Sequence, residues 1–149
     1  MFKIIPFEEK YRDDTIFCLL SAKDAIGDIP RLNEDILHIQ ECYFDKGDMF
    51  WIALDENERV IGMLGTDTVS DTEMWLRRLF IKPALKRNGL GSALLSFAEN
   101  FASAKGVSVI HTRFHDTYIE ASKFYPEKGF VYTERHEGLK HMIKNICSD

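Results

Sequence analysis

Residues 73–92 carry the pattern best suited to chemistry in this chain. A strand-like run over residues 73–82 ends at Pro83, and a helical pattern begins at Gly89. Glycine lets a backbone approach a ligand closely, and the first N–H groups of a helix have no partner within the helix. Because the helix dipole is also positive at that end, this junction of strand, glycine-rich turn and helix is predicted to bind an anion.

The length of the turn limits which anion can bind. The turn is too short for the phosphate-binding loop of nucleoside triphosphatases, and it lacks the G-x-G-x-x-G turn of dinucleotide-binding folds. The ligand that is left is a diphosphate lying across one short turn, and Lys86 and Arg87 supply positive charge beside it. The alternative interpretation of the same glycines is an ordinary helix start.

Hydrophobic periodicity predicts the elements that hold this turn in place. Strands are expected at residues 2–7, 50–54, 59–68, 73–82, 107–114, 130–135 and 139–146. Helices are expected at residues 8–25, from a cap at Asn33 to about residue 47, from Gly89 to Gly106, and at 118–125, where Pro126 ends the helix. The order βααβββαβαββ predicts one α/β domain over residues 1–149, with about four helices flanking a mixed, mostly antiparallel sheet of about seven strands.

Composition and charge exclude several classes of protein. The chain has 149 residues, 45% of them hydrophobic, and a formal net charge of −5, which suits a folded domain and argues against a nucleic-acid-binding protein. No apolar run approaches the ~20 residues that span a bilayer, and the N-terminus lacks a signal-peptide pattern. The three cysteines are widely spaced, which fits neither a disulfide framework nor a zinc site and favours a cytoplasmic protein without a metal.

The strand end and the turn form the first of two distinctive segments, Leu79-Phe80-Ile81 followed by Lys86-x-x-Gly89-x-Gly91-Ser92. The second lies about thirty residues downstream and reads Ala121-x-x-Phe124-Tyr125-x-x-x-Gly129-Phe130. Together they resemble the two acetyl-CoA signatures of the GNAT superfamily of N-acetyltransferases, whose first pattern is Q/R-x-x-G-x-G/A. This chain departs from the family in having Lys86 at the Gln or Arg position and Tyr118 where many members have Asn.

The resemblance implies where acetyl-CoA binds. The strand end is expected to bind the pantetheine arm through its backbone, and the turn amides to hold the pyrophosphate. An amide near Ile81 is expected to stabilise the oxyanion. The cofactor contacts implied in this way are Leu79, Phe80, Ile81, Lys86, Arg87, Asn88, Gly89, Leu90, Gly91, Ser92, Tyr118, Lys123 and Phe124.

The resemblance also implies an acid and a base. Tyr125 is expected to protonate the leaving CoA thiolate, and packing beside Phe124 is the alternative role for its ring. Alternation along the fourth strand places Glu73 on one face with Trp75, Arg77, Leu79 and Ile81, and Glu73 is the carboxylate on that face. Glu73 is therefore the predicted base. An exposed charge at the strand start is its alternative, and His111 or His115 could serve instead.

The expected function is acetyl transfer from acetyl-CoA to a primary amine of a small molecule or a protein. No nucleic acid or membrane is expected as a partner, and the protein could form a homodimer. The alternatives are a non-catalytic acyl-CoA-binding or sensing domain and an acidic interaction module. Residues 1–72 carry a charge balance of −9 and residues 73–149 one of +4, which favours a cationic acceptor. Its expected carboxylate partners are Asp24, Asp28, Glu34 and Asp35.

Overall fold

The computed structural model describes residues 1–27, 31–85 and 89–146. Its helices are α1 (Arg12–Ala25), the short α2 (Ile39–Cys42), α3 (Leu90–Lys105) and α4 (Ile119–Glu127). Its strands are β1 (Lys3–Pro6), β2 (Phe50–Leu54), β3 (Val60–Thr68), β4 (Glu73–Ile81), β5 (Val109–His115), β6 (Val131–His136) and β7 (Leu139–Asn145). The seven strands are hydrogen-bonded in the order β1-β2-β3-β4-β5-β7-β6. This architecture confirms the predicted α/β fold with a mixed seven-stranded sheet.

The predicted second helix is broken into short pieces. Turns of 3₁₀ helix at Glu34–His38 and Phe44–Lys46 flank α2. Asn33 does not cap a helix, because its Oδ1 accepts a hydrogen bond from Lys23 Nζ at 2.6 Å. The apolar spacing that suggested one helix is still satisfied, since a 3₁₀ turn also brings residues three apart onto one side.

Helix α4 is longer than the sequence predicts. It runs through Pro126 to Glu127, so the proline does not end the helix at Tyr125. The helix closes one turn later, where the Lys128 N–H donates to the carbonyls of Phe124 at 3.2 Å and Tyr125 at 3.0 Å. Proline has no N–H, so the hydrogen bond that residue 126 would donate to the Ser122 carbonyl is absent, and the helix ends one residue later.

One compact unit comprises Met1–Asp67 and Arg77–Ala98. In this unit β1 and β3 are each antiparallel to β2, with Pro6 opposite Trp51 and Phe50 opposite Gly65. Alternating apolar residues bring side chains from α1, β2 and β3 into one core. Its fully buried members include Cys18, Leu19, Phe50, Ile52, Leu54 and Met63.

The other compact unit comprises Thr68–Leu76 and the described residues from Glu99 onward. Here β4 is parallel to β5, and β7 is antiparallel to both β5 and β6. One face of this sheet is buried, contributing Met74, Ile110, Thr112 and Met142. The residues that alternate with them include Trp75, His111 and His141, which are half-buried on the opposite face.

Two searches of the described residues were negative. Across residues 1–27, 31–85 and 89–146, no helix is long and apolar enough to cross a membrane. Within the same ranges, no group of three or more His, Cys, Asp and Glu side chains is arranged to hold a metal ion.

Candidate active site

The glycine-rich turn ends in an open helix N-terminus. Gly89 has a φ of +86°, and a Cβ built on it meets no atom within 4 Å. Its carbonyl accepts the N–H of Ala93 at 3.0 Å, so the amides of Gly91 and Ser92 lie in the first turn of α3, ahead of that hydrogen bond. This is the arrangement predicted for an anion site. Three predicted cofactor contacts, Lys86, Arg87 and Asn88, lie outside the described residues.

Gly62 on β3 lets the start of α3 lie close to the sheet. A Cβ at Gly62 would be 3.0 Å from Leu90 Cδ2, 3.4 Å from Leu94 Cδ1 and 3.4 Å from the Phe80 carbonyl oxygen. Leu90 is only 1% exposed, so it fixes the first turn of α3 at this point. The sequence analysis missed Gly62, although a glycine inside a strand pattern is itself a sign of close backbone approach.

One residue of β4 has an unusual backbone conformation just before the predicted pantetheine-binding residues. Arg78 has a φ of +59°, which L-residues other than glycine rarely adopt. Met74 and Leu76 are buried in alternation, whereas residues 77–81 are all half-buried. The prediction that Leu79 and Ile81 share a face with Glu73 by simple alternation is therefore wrong, because the left-handed residue breaks the two-residue period.

Asp35 pairs with the side chain of Arg78. Arg78 Nη2 lies 3.0 Å from Asp35 Oδ1, and Arg78 Nε contacts both carboxylate oxygens at 3.3 and 3.2 Å. The Tyr43 hydroxyl donates to Asp35 Oδ2 at 2.5 Å. Burial disfavours the charged carboxylate, but the hydrogen bonds from Arg78 and Tyr43 outweigh it and keep the pKa of Asp35 below its usual value.

This pairing changes the predicted set of carboxylates for a cationic acceptor. Asp35 is already engaged by Arg78 and is not available as a separate anionic contact. Asp24 and Glu34 are exposed, and Asp28 lies outside the described residues.

Tyr125 is almost completely buried, with 5% of its surface exposed. Its ring stacks on Phe114 at a centroid distance of 5.4 Å and meets Phe130 and Phe124 edge to face at 5.1 and 5.2 Å. Burial raises the pKa of Tyr125 to about 12, although a hydrogen bond with Thr112 lowers the pKa in part. The phenol therefore keeps its proton at neutral pH. The ring contacts show the packing role, and proton donation to the CoA thiolate stays a prediction.

The remaining predicted cofactor contacts of this unit lie at α4. Tyr118 precedes the helix, and its N–H donates to the His115 carbonyl at 2.9 Å. Lys123 is exposed on the helix, and Phe124 is half-buried beside the ring of Tyr125. Contact of these three residues with the cofactor stays a prediction.

The predicted base, Glu73, is joined to two histidines. Glu73 Oε1 lies 2.6 Å from His111 Nε2, and His111 Nδ1 lies 2.8 Å from His141 Nε2. The sequence analysis considered His111 but assigned no role to His141. The pairing of β5 with β7 brings His141 beside His111, and no spacing in the sequence could reveal this cross-strand neighbour.

The two imidazoles stack with Trp75 beside an open pocket. Ring planes of Trp75, His111 and His141 lie within 16° of one another, with centroids 4.7 to 5.1 Å apart. The pocket has a volume of about 280 Å³. Its lining residues are Trp75, Arg113, Glu134, His136, Leu139 and His141.

Sequence comparisons identify related proteins. The acetyltransferase (GNAT) domain family matches residues 46–132 of this chain. Human N-acetyltransferase 8 is 30% identical over 105 residues, which cover 66% of this chain and 46% of that protein. The match thus spans less than half the length of this relative.

Solved structures share the fold over nearly the whole chain. An acetyltransferase from Streptococcus agalactiae has a TM-score of 0.89 at 22% identity, covering 97% of this chain and 98% of its own. A GNAT-family acetyltransferase from Staphylococcus aureus has a TM-score of 0.88 at 19% identity, covering 97% and 99%. The PaiA N-acetyltransferase of Thermoplasma acidophilum, solved in complex with coenzyme A, has a TM-score of 0.79 at 20% identity, covering 98% and 99%.

Proposed function

The chain belongs to the GNAT acetyltransferase family, and on this premise we propose that it is an enzyme that transfers the acetyl group of acetyl-CoA to a primary amine of a small molecule or a protein. The observation that carries the proposal is the open start of α3, where Gly89 turns with positive φ and Leu90 packs over Gly62. Acetyl-CoA as donor is further supported by the coenzyme A bound in the structure of the Thermoplasma relative.

The proposed acetyl-CoA site is built on the turn and the end of β4. The amides of Gly91 and Ser92, with those of the preceding turn, would hold the pyrophosphate, because they lie at the positive end of the α3 dipole. The backbone of Leu79, Phe80 and Ile81 would bind the pantetheine arm. The Asp35–Arg78 ion pair would fix the shape of the backbone just ahead of these residues.

The proposed reaction is direct attack of the amine on the thioester. The amine nitrogen bonds to the carbonyl carbon, the C–S bond breaks, and the sulfur takes a proton. Tyr125 would supply that proton, which is supported by a phenol that burial keeps protonated. An ammonium substrate loses two protons from its nitrogen during the reaction. One of them replaces the proton that Tyr125 gives to sulfur, and the other is released to solvent.

The acceptor and the location of the reaction are proposed from charge and composition. A cationic amine is favoured by the acidic balance of residues 1–72 and by the exposed carboxylates of Asp24 and Glu34. The wide spacing of the three cysteines favours the cytoplasm.

Two measurements on the intact chain test the proposed function. Calorimetry with acetyl-CoA measures binding, and release of CoA thiol in the presence of a panel of primary amines measures transfer. We expect both binding and amine-dependent release. Binding without release for any amine would identify an acyl-CoA-binding domain instead, and the absence of binding would overturn the assignment of the α3 site.

A further inference from the structure

The open pocket of about 280 Å³ carries two opposite charges on its wall. All of its lining residues belong to one compact unit, the one that contains Thr68–Leu76 and the described residues from Glu99 onward. Arg113 contributes a guanidinium from β5, and Glu134 contributes a carboxylate from β6. Both side chains are exposed, so both charges are accessible to a ligand that enters the pocket.

Strand pairing determines how far apart the two charged residues lie. Arg113 is directly opposite His141 on β7, and Glu134 is directly opposite the same histidine on its other side. The backbones of Arg113 and Glu134 are therefore two strand spacings apart, which is about 10 Å. Residues opposite one another in a sheet share a face, and all three of these side chains line the pocket.

The surface between the two charges is aromatic and aliphatic. The rings of Trp75 and His141 stack with centroids 5.0 Å apart and an angle of 14° between their planes. Leu139, two residues before His141 on β7, lines the same pocket. This surface suits methylene groups, because contact with them removes apolar area from water.

Arg113 has no anionic partner among the side chains that the structure describes. Its guanidinium lies over the Trp75 ring, 5.4 Å from the centroid, and no described carboxylate forms an ion pair with it. Arg135, also in this unit, is by contrast paired with Asp116. The guanidinium of Arg113 can therefore form charge-assisted hydrogen bonds with an anionic group of a ligand.

Glu134 faces a group that is mostly neutral. Its Oε1 lies 3.8 Å from His141 Nδ1. Burial, the nearby His111 and Arg113 lower the pKa of His141, although Glu134 opposes them. Since an unperturbed histidine already titrates near 6.5, His141 gives Glu134 no full positive charge at pH 7. The carboxylate can thus accept hydrogen bonds from a ligand cation.

We propose that this pocket binds a small zwitterion whose charges are at opposite ends, of the class of long-chain amino acids and dipeptides. The anionic end pairs with Arg113 and the cationic end with Glu134. The chain between them lies over Trp75, His141 and Leu139. At roughly 30 Å³ for each water-sized group, the pocket volume accommodates on the order of nine non-hydrogen atoms, the size of 6-aminohexanoate or glycylglycine. This inference does not depend on the proposed function.

NMR titration of the intact chain without acetyl-CoA tests the proposal. The probes are 6-aminohexanoate and glycylglycine, which distinguish a long-chain amino acid from a peptide. The references are glycine, whose charges are close together, and the singly charged hexanoate and hexylamine. We expect at least one probe to bind more tightly than all three references and to shift the Trp75 indole N–H and the Leu139 methyl signals. No shift at these groups, or equal affinity for probes and references, would overturn the proposal.

Two variants test the charges separately. Because exposed ionic contacts are weak, Arg113→Gln and Glu134→Gln should each lower the affinity for the better probe roughly 2- to 5-fold. Arg113→Gln should also weaken hexanoate without weakening hexylamine, and Glu134→Gln should do the reverse. A loss of the same size for both singly charged compounds in either variant would contradict the proposed orientation of the ligand.

Arg135→Gln and Glu127→Gln are the matched controls. Arg135 follows Glu134 directly in β6 but pairs with Asp116 and does not line the pocket, and Glu127 is exposed at the end of α4. Both controls should keep the wild-type affinity. If the two pocket variants behaved like the controls, the proposal would be wrong, whether or not the protein acetylates an amine. Because the readout contains no acetyl-CoA, failure of the proposed function would leave this result unchanged.

Discussion

The carboxylate of Asp35 pairs with the guanidinium of Arg78 through both of its oxygens, at 3.0 to 3.3 Å. Arg78 has a backbone φ of +59°, a conformation that costs a non-glycine residue on the order of 1 kcal/mol or more. The ion pair anchors the Arg78 side chain directly ahead of Leu79, Phe80 and Ile81. A side-chain contact thus lies beside the unusual backbone of the strand end that is proposed to bind acetyl-CoA.

Asp35→Asn should destabilise the protein and change its acid response. Because the pKa of Asp35 is lowered by folding, its ionised form contributes stability above the unfolded pKa of about 3.9, and this stability is lost as pH falls through the folded value. The variant lacks this contribution, so we expect a loss of roughly 1.5–3 kcal/mol near neutral pH and a shallower decline in acid. Urea unfolding at a series of pH values measures both.

A surface carboxylate provides the comparison for this variant. Asp24 is exposed at the end of α1, and Asp24→Asn should change stability by no more than about 0.5 kcal/mol. If Asp35→Asn behaved in the same way, the ion pair would have no role in fixing Arg78. Acetyl-CoA affinity should also fall in Asp35→Asn alone, because the backbone of residues 79–81 loses its support.

Most of the fold was predictable because its signals are local. The strand predicted at residues 50–54 has the same boundaries in the structure, Phe50–Leu54. Helix α3 begins at Leu90, one residue after its predicted start. The start of α3 directly after Gly89 was also predictable, since a strand, two glycines and a helical pattern follow one another in the sequence. Periodicity and turn chemistry act over a few residues and can be read without the tertiary structure.

The rest depends on contacts between distant residues. Arg78 has a positive φ and a side-chain partner, Asp35, 43 positions earlier, and no local propensity indicates either. His141 acquires a partner only because β7 pairs with β5, 30 positions away from His111. Asn33 has the residue type of a helix cap, but the buried Lys23 competes for its side-chain oxygen. In each case a tertiary contact overrides or extends the local pattern.

Gly89→Asp should abolish acetyl-CoA binding in a protein that still folds. Gly89 is exposed and a Cβ there meets no atom within 4 Å, but an aspartate would place a negative charge where the pyrophosphate is proposed to bind. The positive φ adds strain of about 1 kcal/mol, which is too small to unfold a typical domain. Calorimetry with acetyl-CoA measures the loss, and circular dichroism checks the fold.

Gly27→Asp is the matched control for strain and charge. Gly27 has a φ of +80° and open space around its Cβ, as Gly89 does, but it follows α1 rather than the turn. It should cost similar stability and leave acetyl-CoA affinity unchanged. Equal affinities in both variants would move the cofactor site away from the start of α3.

Tyr125→Phe should lower kcat while changing acetyl-CoA affinity by no more than a few-fold. The substitution removes the hydroxyl but keeps the ring that packs on Phe114 and Phe130. Since the pKa of Tyr125 is about 12, the phenol is protonated throughout an ordinary assay range, and the decrease should be the same factor at every pH. Steady-state kinetics with Tyr132→Phe, an exposed tyrosine, as control measures this. A wild-type kcat would assign Tyr125 to packing alone.

The KM for the best amine should rise with ionic strength, because the acceptor is proposed to be cationic. Exposed carboxylates each contribute about 0.2–1 kcal/mol to such an attraction, and salt screens them over ~10 Å at 0.1 M. With Asp35 engaged by Arg78, the candidates are Asp24 in the last turn of α1, Glu34 after that helix and Glu134 beside the pocket. Two variants neutralise these candidates separately: Asp24→Asn combined with Glu34→Gln, and Glu134→Gln alone. The salt dependence of KM should decrease in the variant whose carboxylates face the acceptor. A neutral or anionic best substrate with a salt-independent KM would show that these acidic residues serve solubility alone.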